Sequence, residues 1–153
     1  MKKFIILLVI SLAVIKCQHV SPYYYEVQRC GNLIKADPNN AEAYYHRGVA
    51  KNYLDDYIGA IRDFNKAIEL EPYYADAYVS RGISKYFMGD YWGAIRDYNR
   101  ALDINPEHGK AYYNRGLAHN KLELWEAACH DWSLAGELGI MRAYELIRYH
   151  CKY

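Results

Sequence analysis

Three arginines and three aspartates share one spacing. Arg47, Arg81 and Arg115 lie 34 residues apart, and each is followed 16 residues later by an acid: Asp63, Asp97 and Asp131. Such a pair could hold an anion, supply a catalytic acid, or form an ion pair. A charge on a packed face requires a partner. A catalytic pair has no reason to be copied three times, so the pattern reads as structural ion pairing. The pairs form either within one 34-residue unit or from Asp63 to Arg81 and Asp97 to Arg115.

The cysteines and histidines suggest other chemistry. Cys129-His130 and His150-Cys151 supply zinc-ligand types, but neighbours on a helix point about 100° apart, so one helix poorly offers both to a single ion. No metal site is expected. Cys129 and Cys151 lie eleven residues to either side of Ile140, where the last hairpin turns. That places them level on antiparallel helices, as a disulfide worth roughly 3 kcal/mol or as two buried thiols. Cys30 has no obvious local partner. His19, His46, His108 and His119 show no ligand spacing and read as surface or interface residues. Nucleophile, phosphate-loop and metal motifs are lacking, so neither an enzyme nor a cofactor is expected.

Composition narrows the class further. The chain has 153 residues, 19 Lys+Arg against 18 Asp+Glu, and 18 Tyr beside 3 Phe and 3 Trp. Balanced charge argues against nucleic acid as a partner. Met1-Lys2-Lys3 precedes an apolar run, Phe4 to Ile15, that has the shape of an export signal and is short for a spanning helix. Cys17 follows it directly. That resembles a bacterial lipoprotein signal, although Lys16 stands where a small residue is normal. Lipidation at Cys17, cleavage near Ser11-Leu12-Ala13 and retention as an anchor stay open. The expected location is exported, periplasmic or membrane-anchored, or secreted.

The elements that must position these residues repeat. Blocks 41–74, 75–108 and 109–142 have equal length, and the first two are identical at 16 of 34 positions. Tyr44-x-x-Arg47-Gly48 recurs as Tyr78-x-x-Arg81-Gly82 and Tyr112-x-x-Arg115-Gly116. Asp56-Tyr57-Ile58-Gly59-Ala60-Ile61-Arg62-Asp63-Phe64 recurs nearly unchanged from Asp90 to Tyr98. Apolar and small residues fall at helical spacings of three and four, and Pro72 and Pro106 end the second helix of a block. Each block is a helical hairpin. Helices are expected near 23–36, 41–54, 57–70, 75–88, 91–104, 109–122, 125–138 and 141–150. The organisation is an export segment (1–16), a half-repeat cap (17–40), three repeats, and a capping helix (143–153). In the last helix Ala143, Leu146, Ile147 and His150 face the stack. Glu145, Arg148 and Lys152 face water.

This period and pattern closely resemble the tetratricopeptide repeat. The resemblance implies an all-α superhelical solenoid of antiparallel hairpins, with the first helices lining a concave groove that receives a peptide or a partner helix. Carried onto this chain, the binding positions are Tyr45, Val49, Asn52 and Tyr53 in the first block. In the second they are Val79, Ile83, Tyr86 and Phe87, and in the third Tyr113 and Asn120. Glu42, Asp76, Lys110, Leu117 and Lys121 complete the lining. Tyr45 and Val49 stand where a chaperone-tail clamp needs Lys and Asn, so no such clamp is expected. Tyrosine gives large contact area at modest entropy cost. The expectation is therefore a protein-binding scaffold of the bacterial envelope. The alternative is a structural subunit whose aromatic face is permanently buried in an oligomer or larger complex, or under Tyr23-Tyr24-Tyr25.

Overall fold

Helix ends fall where side chains and turns can satisfy them. In the computed structural model, which describes residues 21–151, the chain forms α1 (Pro22–Ala36), α2 (Ala41–Tyr53), α3 (Tyr57–Leu70) and α4 (Ala75–Phe87). It continues through α5 (Tyr91–Ile104), α6 (Gly109–Lys121), α7 (Trp125–Glu137) and α8 (Arg142–His150). Among the described residues there is no strand. Cys17, the N-terminal run and Lys152 lie outside the described residues. Asn40, Asp56 and Asp90 cap α2, α3 and α5 through Ala43, Gly59 and Gly93 N–H groups, at 2.8, 2.9 and 2.8 Å. Within each hairpin the chain reverses through one left-handed residue: Asp55 (φ 59°), Gly89 (φ 83°) or Glu123 (φ 60°).

Each helix packs on its neighbours in sequence. The result is the all-α superhelical stack that the repeat implies. Phe64, Tyr98 and Trp132 are fully buried. Each lies over a glycine of its own hairpin. A Cβ on Gly48 would stand 2.7 Å from Phe64 Cε1, one on Gly82 2.6 Å from Tyr98 Cε1, and one on Gly116 2.5 Å from Trp132 Nε1.

The charged pairs form beside these contacts, within each repeat. Arg47 donates to Asp63 through Nε (2.9 Å) and Nη2 (2.6 Å), and Arg81 does the same to Asp97 at 2.9 and 2.6 Å. Arg115 grips Asp131 at 3.0 and 2.6 Å. The alternative partners across repeats are asparagines: Arg81 Nη1 reaches Asn65 Oδ1 and Arg115 Nη1 reaches Asn99 Oδ1, both at 2.7 Å. Each guanidinium also lies over the ring of the tyrosine three residues earlier, at 5.3–5.5 Å.

A third partner was not anticipated. Lys51 and Lys85 reach the same carboxylates at 2.7 and 2.8 Å, and His119 Nδ1 reaches Asp131 at 2.9 Å. Of the two readings left for His119, surface or interface, it takes the second: it occupies the lysine's place one helical turn after the arginine. Asp131 is 1% exposed. Burial raises its carboxyl, but hydrogen bonds from His119 and Arg115, and then their charges, leave it below its ordinary value of 3.8.

The far end is tied covalently. Cys129 and Cys151 form a disulfide between α7 and the end of α8, with Cα atoms 5.8 Å apart. Gly139 (φ 88°) makes the left-handed turn before α8, where Ile140 replaces proline. Ala143, Leu146 and Ile147 pack around Trp132, and the His150 ring rests 5.7 Å from it, although His150 stays exposed. Cys30 is buried and, among the described residues, bonded to no other cysteine. Its thiol is pushed up to about 11, first by burial and then by its hydrogen bond to Glu26.

Asp97→Ala leaves Arg81 and Lys85 facing an emptied buried site, and should cost about 3–5 kcal/mol in urea denaturation. An unchanged midpoint would refute the pairing as a source of stability. Because the Asp131 carboxyl is depressed in the folded state, its contribution is complete above pH 3.8 and is lost as pH falls through the lower folded value. The stability gap between the natural chain and Asp131→Asn should therefore narrow below about pH 4, and a gap constant down to pH 2 contradicts this account. Cys151→Ser should lower stability by about 3 kcal/mol, while alkylation of unreduced protein should leave Cys129 and Cys151 unlabelled.

Candidate functional site: a concave aromatic cavity

The first helices of the hairpins face one side of the stack and enclose a cavity of about 550 Å³. Tyr45, Val49, Asn52 and Tyr53 line it from α2, and Val79, Ser80, Ile83 and Phe87 from α4. Asp55, Tyr57, Asp76 and Lys110 complete the rim. Helical spacing explains the selection: 45, 49, 52 and 53 share one face of α2, and 79, 83 and 87 one face of α4.

Its aromatic walls are already stacked. Tyr57 lies on Phe87 with ring centroids 5.3 Å apart, and Tyr45 sits 4.9 Å from Tyr74. Burial pushes the Tyr45 phenol up. Tyr53 is 63% exposed, yet one face is occupied by Tyr23 of α1, 4.1 Å away and nearly parallel. Self-covering by the N-terminal tyrosines is thus limited to Tyr23, since Tyr24 and Tyr25 remain exposed. Polar groups sit at the rim. Asp55 accepts the Tyr57 hydroxyl at 2.7 Å, and Asp76 lies 3.1 Å from His108 Nε2.

Seven of the ten expected binding positions meet in this cavity, and three do not. Tyr86 turns its ring edge-on to Tyr91 at 5.3 Å and packs against the core around Tyr98. Burial pushes its phenol up as well. Tyr113 packs on the Trp132 cluster. Asn120 is half-buried, and its Oδ1 has no hydrogen-bond partner among the described residues. Asn52 lines the cavity, but its amide is engaged: Oδ1 accepts from the buried Ser84 hydroxyl at 2.8 Å, and Nδ2 donates to the Ser80 carbonyl at 3.4 Å. It ties α2 to α4. Sequence reading missed Asp55, Tyr57 and Ser80. Tyr57 recurs in every repeat except the last, which marked it as packing, and its second role becomes visible only where Phe87 meets it.

An apolar cavity with engaged polar groups can bind and orient, and among the described residues no three His, Cys, Asp or Glu are grouped to hold a metal. Fold and site together define an α-helical solenoid with an apolar cavity on its concave face. A model described as tetratricopeptide repeat matches residues 41–74, and one described as TPR repeat matches residues 84–122. Among solved structures, MamA is 31% identical, with 77% of this chain and 69% of that chain covered and a TM-score of 0.69. The chain belongs to the tetratricopeptide repeat family. The first TPR of Spaghetti (RPAP3), bound to the HSP90 peptide SRMEEVD, is 25% identical over 75% of this chain and 93% of that chain, with a TM-score of 0.71. The Arabidopsis OM64 TPR domain, at 24% identity over 72% and 95% of the two chains and a TM-score of 0.68, shares the fold. No curated protein matches the chain. Tetratricopeptide repeats mediate protein–protein interaction, typically as non-enzymatic scaffolds.

Proposed function

We propose that this protein is an adaptor of the bacterial cell envelope that holds an extended peptide or helical segment of another protein in its concave cavity. The observation that carries the reading is the cavity itself: a preformed apolar floor of Val49, Val79 and Ile83 between walls contributed by Tyr45, Tyr53 and Phe87. Large aromatic side chains around a partly desolvated pocket are the composition of interface anchors. A neighbour of the same fold holds a peptide. The envelope setting rests on the N-terminal sequence, Lys2-Lys3 followed by the apolar run to Ile15 and by Cys17.

A second reading has its own observation. Phe87 is 61% exposed beside the half-stacked Tyr53, a surface that a permanent partner subunit would cover. Light scattering separates the two: a monodisperse monomer supports the adaptor, and a stable oligomer lost on Tyr53→Glu supports the subunit.

The direct test is a crosslinking pull-down from the native envelope with the natural chain and with Tyr53→Ala/Phe87→Ala. Both residues are exposed, so circular dichroism should show an unchanged fold. The double variant should lose about tenfold or more of the recovered partner, while Tyr73→Ala, on the opposite edge, should lose none. Equal recovery by the double variant would end the groove hypothesis.

A further inference from the structure

All eight described helices present one end to the same edge of the solenoid. Tyr23 at the start of α1 stacks on Tyr53 at the end of α2, Tyr57 at the start of α3 on Phe87 at the end of α4, and Trp125 at the start of α7 on His150 at the end of α8. This edge carries the hairpin turns, and it is where the described chain begins. It is also where exposed apolar side chains collect. Of the sixteen large hydrophobic residues exposed among the described ones, eleven lie here and five lie elsewhere. In the first two repeats they recur in register, as Leu54 and Ile58 and as Met88 and Trp92, with Tyr24 at the position of Ile58 and Trp92; in the third, Leu124 and Trp125 fall at other repeat positions on the same edge, and all six repeat residues are 37–56% exposed. Apart from Trp125, which stacks on His150, none of these six makes an aromatic contact within the described stack.

We infer that this edge lies against a lipid bilayer, with Trp92, Trp125 and their aliphatic neighbours at headgroup depth. Exposed apolar patches of this kind mark interaction surfaces, and tryptophan and tyrosine favour the membrane–water boundary. The chain supplies the proximity. Ser21 opens α1 at this edge, only four residues after Cys17 and six after the apolar run ends at Ile15. An extended segment of that length spans at most about 14–20 Å. Any attachment through Cys17 or the apolar run therefore holds the edge within about 20 Å of the bilayer. Charge selects the kind of surface. Segments 54–58, 88–92 and 122–126 carry five carboxylates (Asp55, Asp56, Asp90, Glu123 and Glu126) and no Lys or Arg. Anionic lipid would repel such an edge, so contact is apolar and suits zwitterionic headgroups. No described helix is long and apolar enough to cross the membrane; the edge rests on the bilayer. The inference rests on the envelope setting proposed above, with the chain attached through Cys17 or the apolar run, and it requires no occupant in the cavity.

The three tryptophans provide the test, because Trp92 and Trp125 lie on the edge and Trp132 is fully buried. The full chain is reconstituted with phosphatidylcholine vesicles, with or without dibrominated acyl chains, and flotation and tryptophan emission are recorded. Brominated lipid should lower the emission of Trp132→Phe about twofold or more and leave Trp92→Phe/Trp125→Phe unchanged. Replacing a third of the lipid with phosphatidylglycerol should not increase the quenching. Flotation without quenching of Trp132→Phe overturns the docked edge while leaving the attachment intact. Absence of flotation overturns both. Equal quenching of the double variant shows unfolding on the vesicle and overturns the proposal, as does quenching that appears only with anionic lipid.

Discussion

The solenoid depends on a ring set against a missing side chain. Phe64, Tyr98 and Trp132 occupy the space where a Cβ on Gly48, Gly82 or Gly116 would stand. A close-packed interior has no room for both. The contact fixes how near the two helices of a hairpin come and at what height they meet. Arg47, Arg81 and Arg115 immediately precede those glycines, and Asp63, Asp97 and Asp131 immediately precede the rings. Ion pair and ring contact are therefore set at one register, and a slip in either helix would break both. With the register fixed, the opposite face of each first helix turns to the concave side, carrying Tyr45 and Val49 or Val79 and Ile83.

The third repeat shows what happens when local devices are lost. In the first two repeats an aspartate caps the second helix through a glycine N–H three residues on, and its carboxylate occupies the space beside that glycine. In the third, Leu124 and Ala127 replace both members together, and α7 has no side-chain cap. His119 stands in for lysine. The buried indole N–H of Trp132 has no partner among the described residues. Asn120 lacks the interhelical serine that Asn52 finds in Ser84. Here a disulfide ties α7 to α8, and chain connectivity takes over part of what side-chain matching does earlier.

The cavity and the hairpin-tip edge draw on the same tyrosine-rich composition in different ways. Tyr45 and Tyr57 are held by other rings, which fixes their orientation within the cavity wall. Leu54, Met88 and Trp92 have no such support and project outward. Phe87 belongs to both surfaces: one face meets Tyr57, and the rest is open.

Sequence alone determined the repeat, the helices to within about a residue at most ends, and the chemical type of the buried charges. Each of these is written in local spacing: 34 residues between units, three and four between packed positions, 16 between arginine and aspartate. The resemblance it carries also pointed to residues that line the cavity, Tyr45, Val49, Val79 and Ile83 among them. What it left open was decided by distance in space. Arg81 had two candidate acids, and hairpin geometry gave it Asp97 while assigning its remaining nitrogen to Asn65. Lys51, Lys85 and His119 joined the carboxylates because residues one turn apart on a helix share a face. Tyr86 and Asn52 occupy the same repeat position, yet one ring turned into the core and one amide bridged to Ser84. Side-chain size and the neighbour across the groove chose between those fates, and neither is recorded in a single helix. The gathering of exposed hydrophobics on one edge has the same origin: antiparallel stacking brings the ends of all the helices together, where the linear chain scatters them.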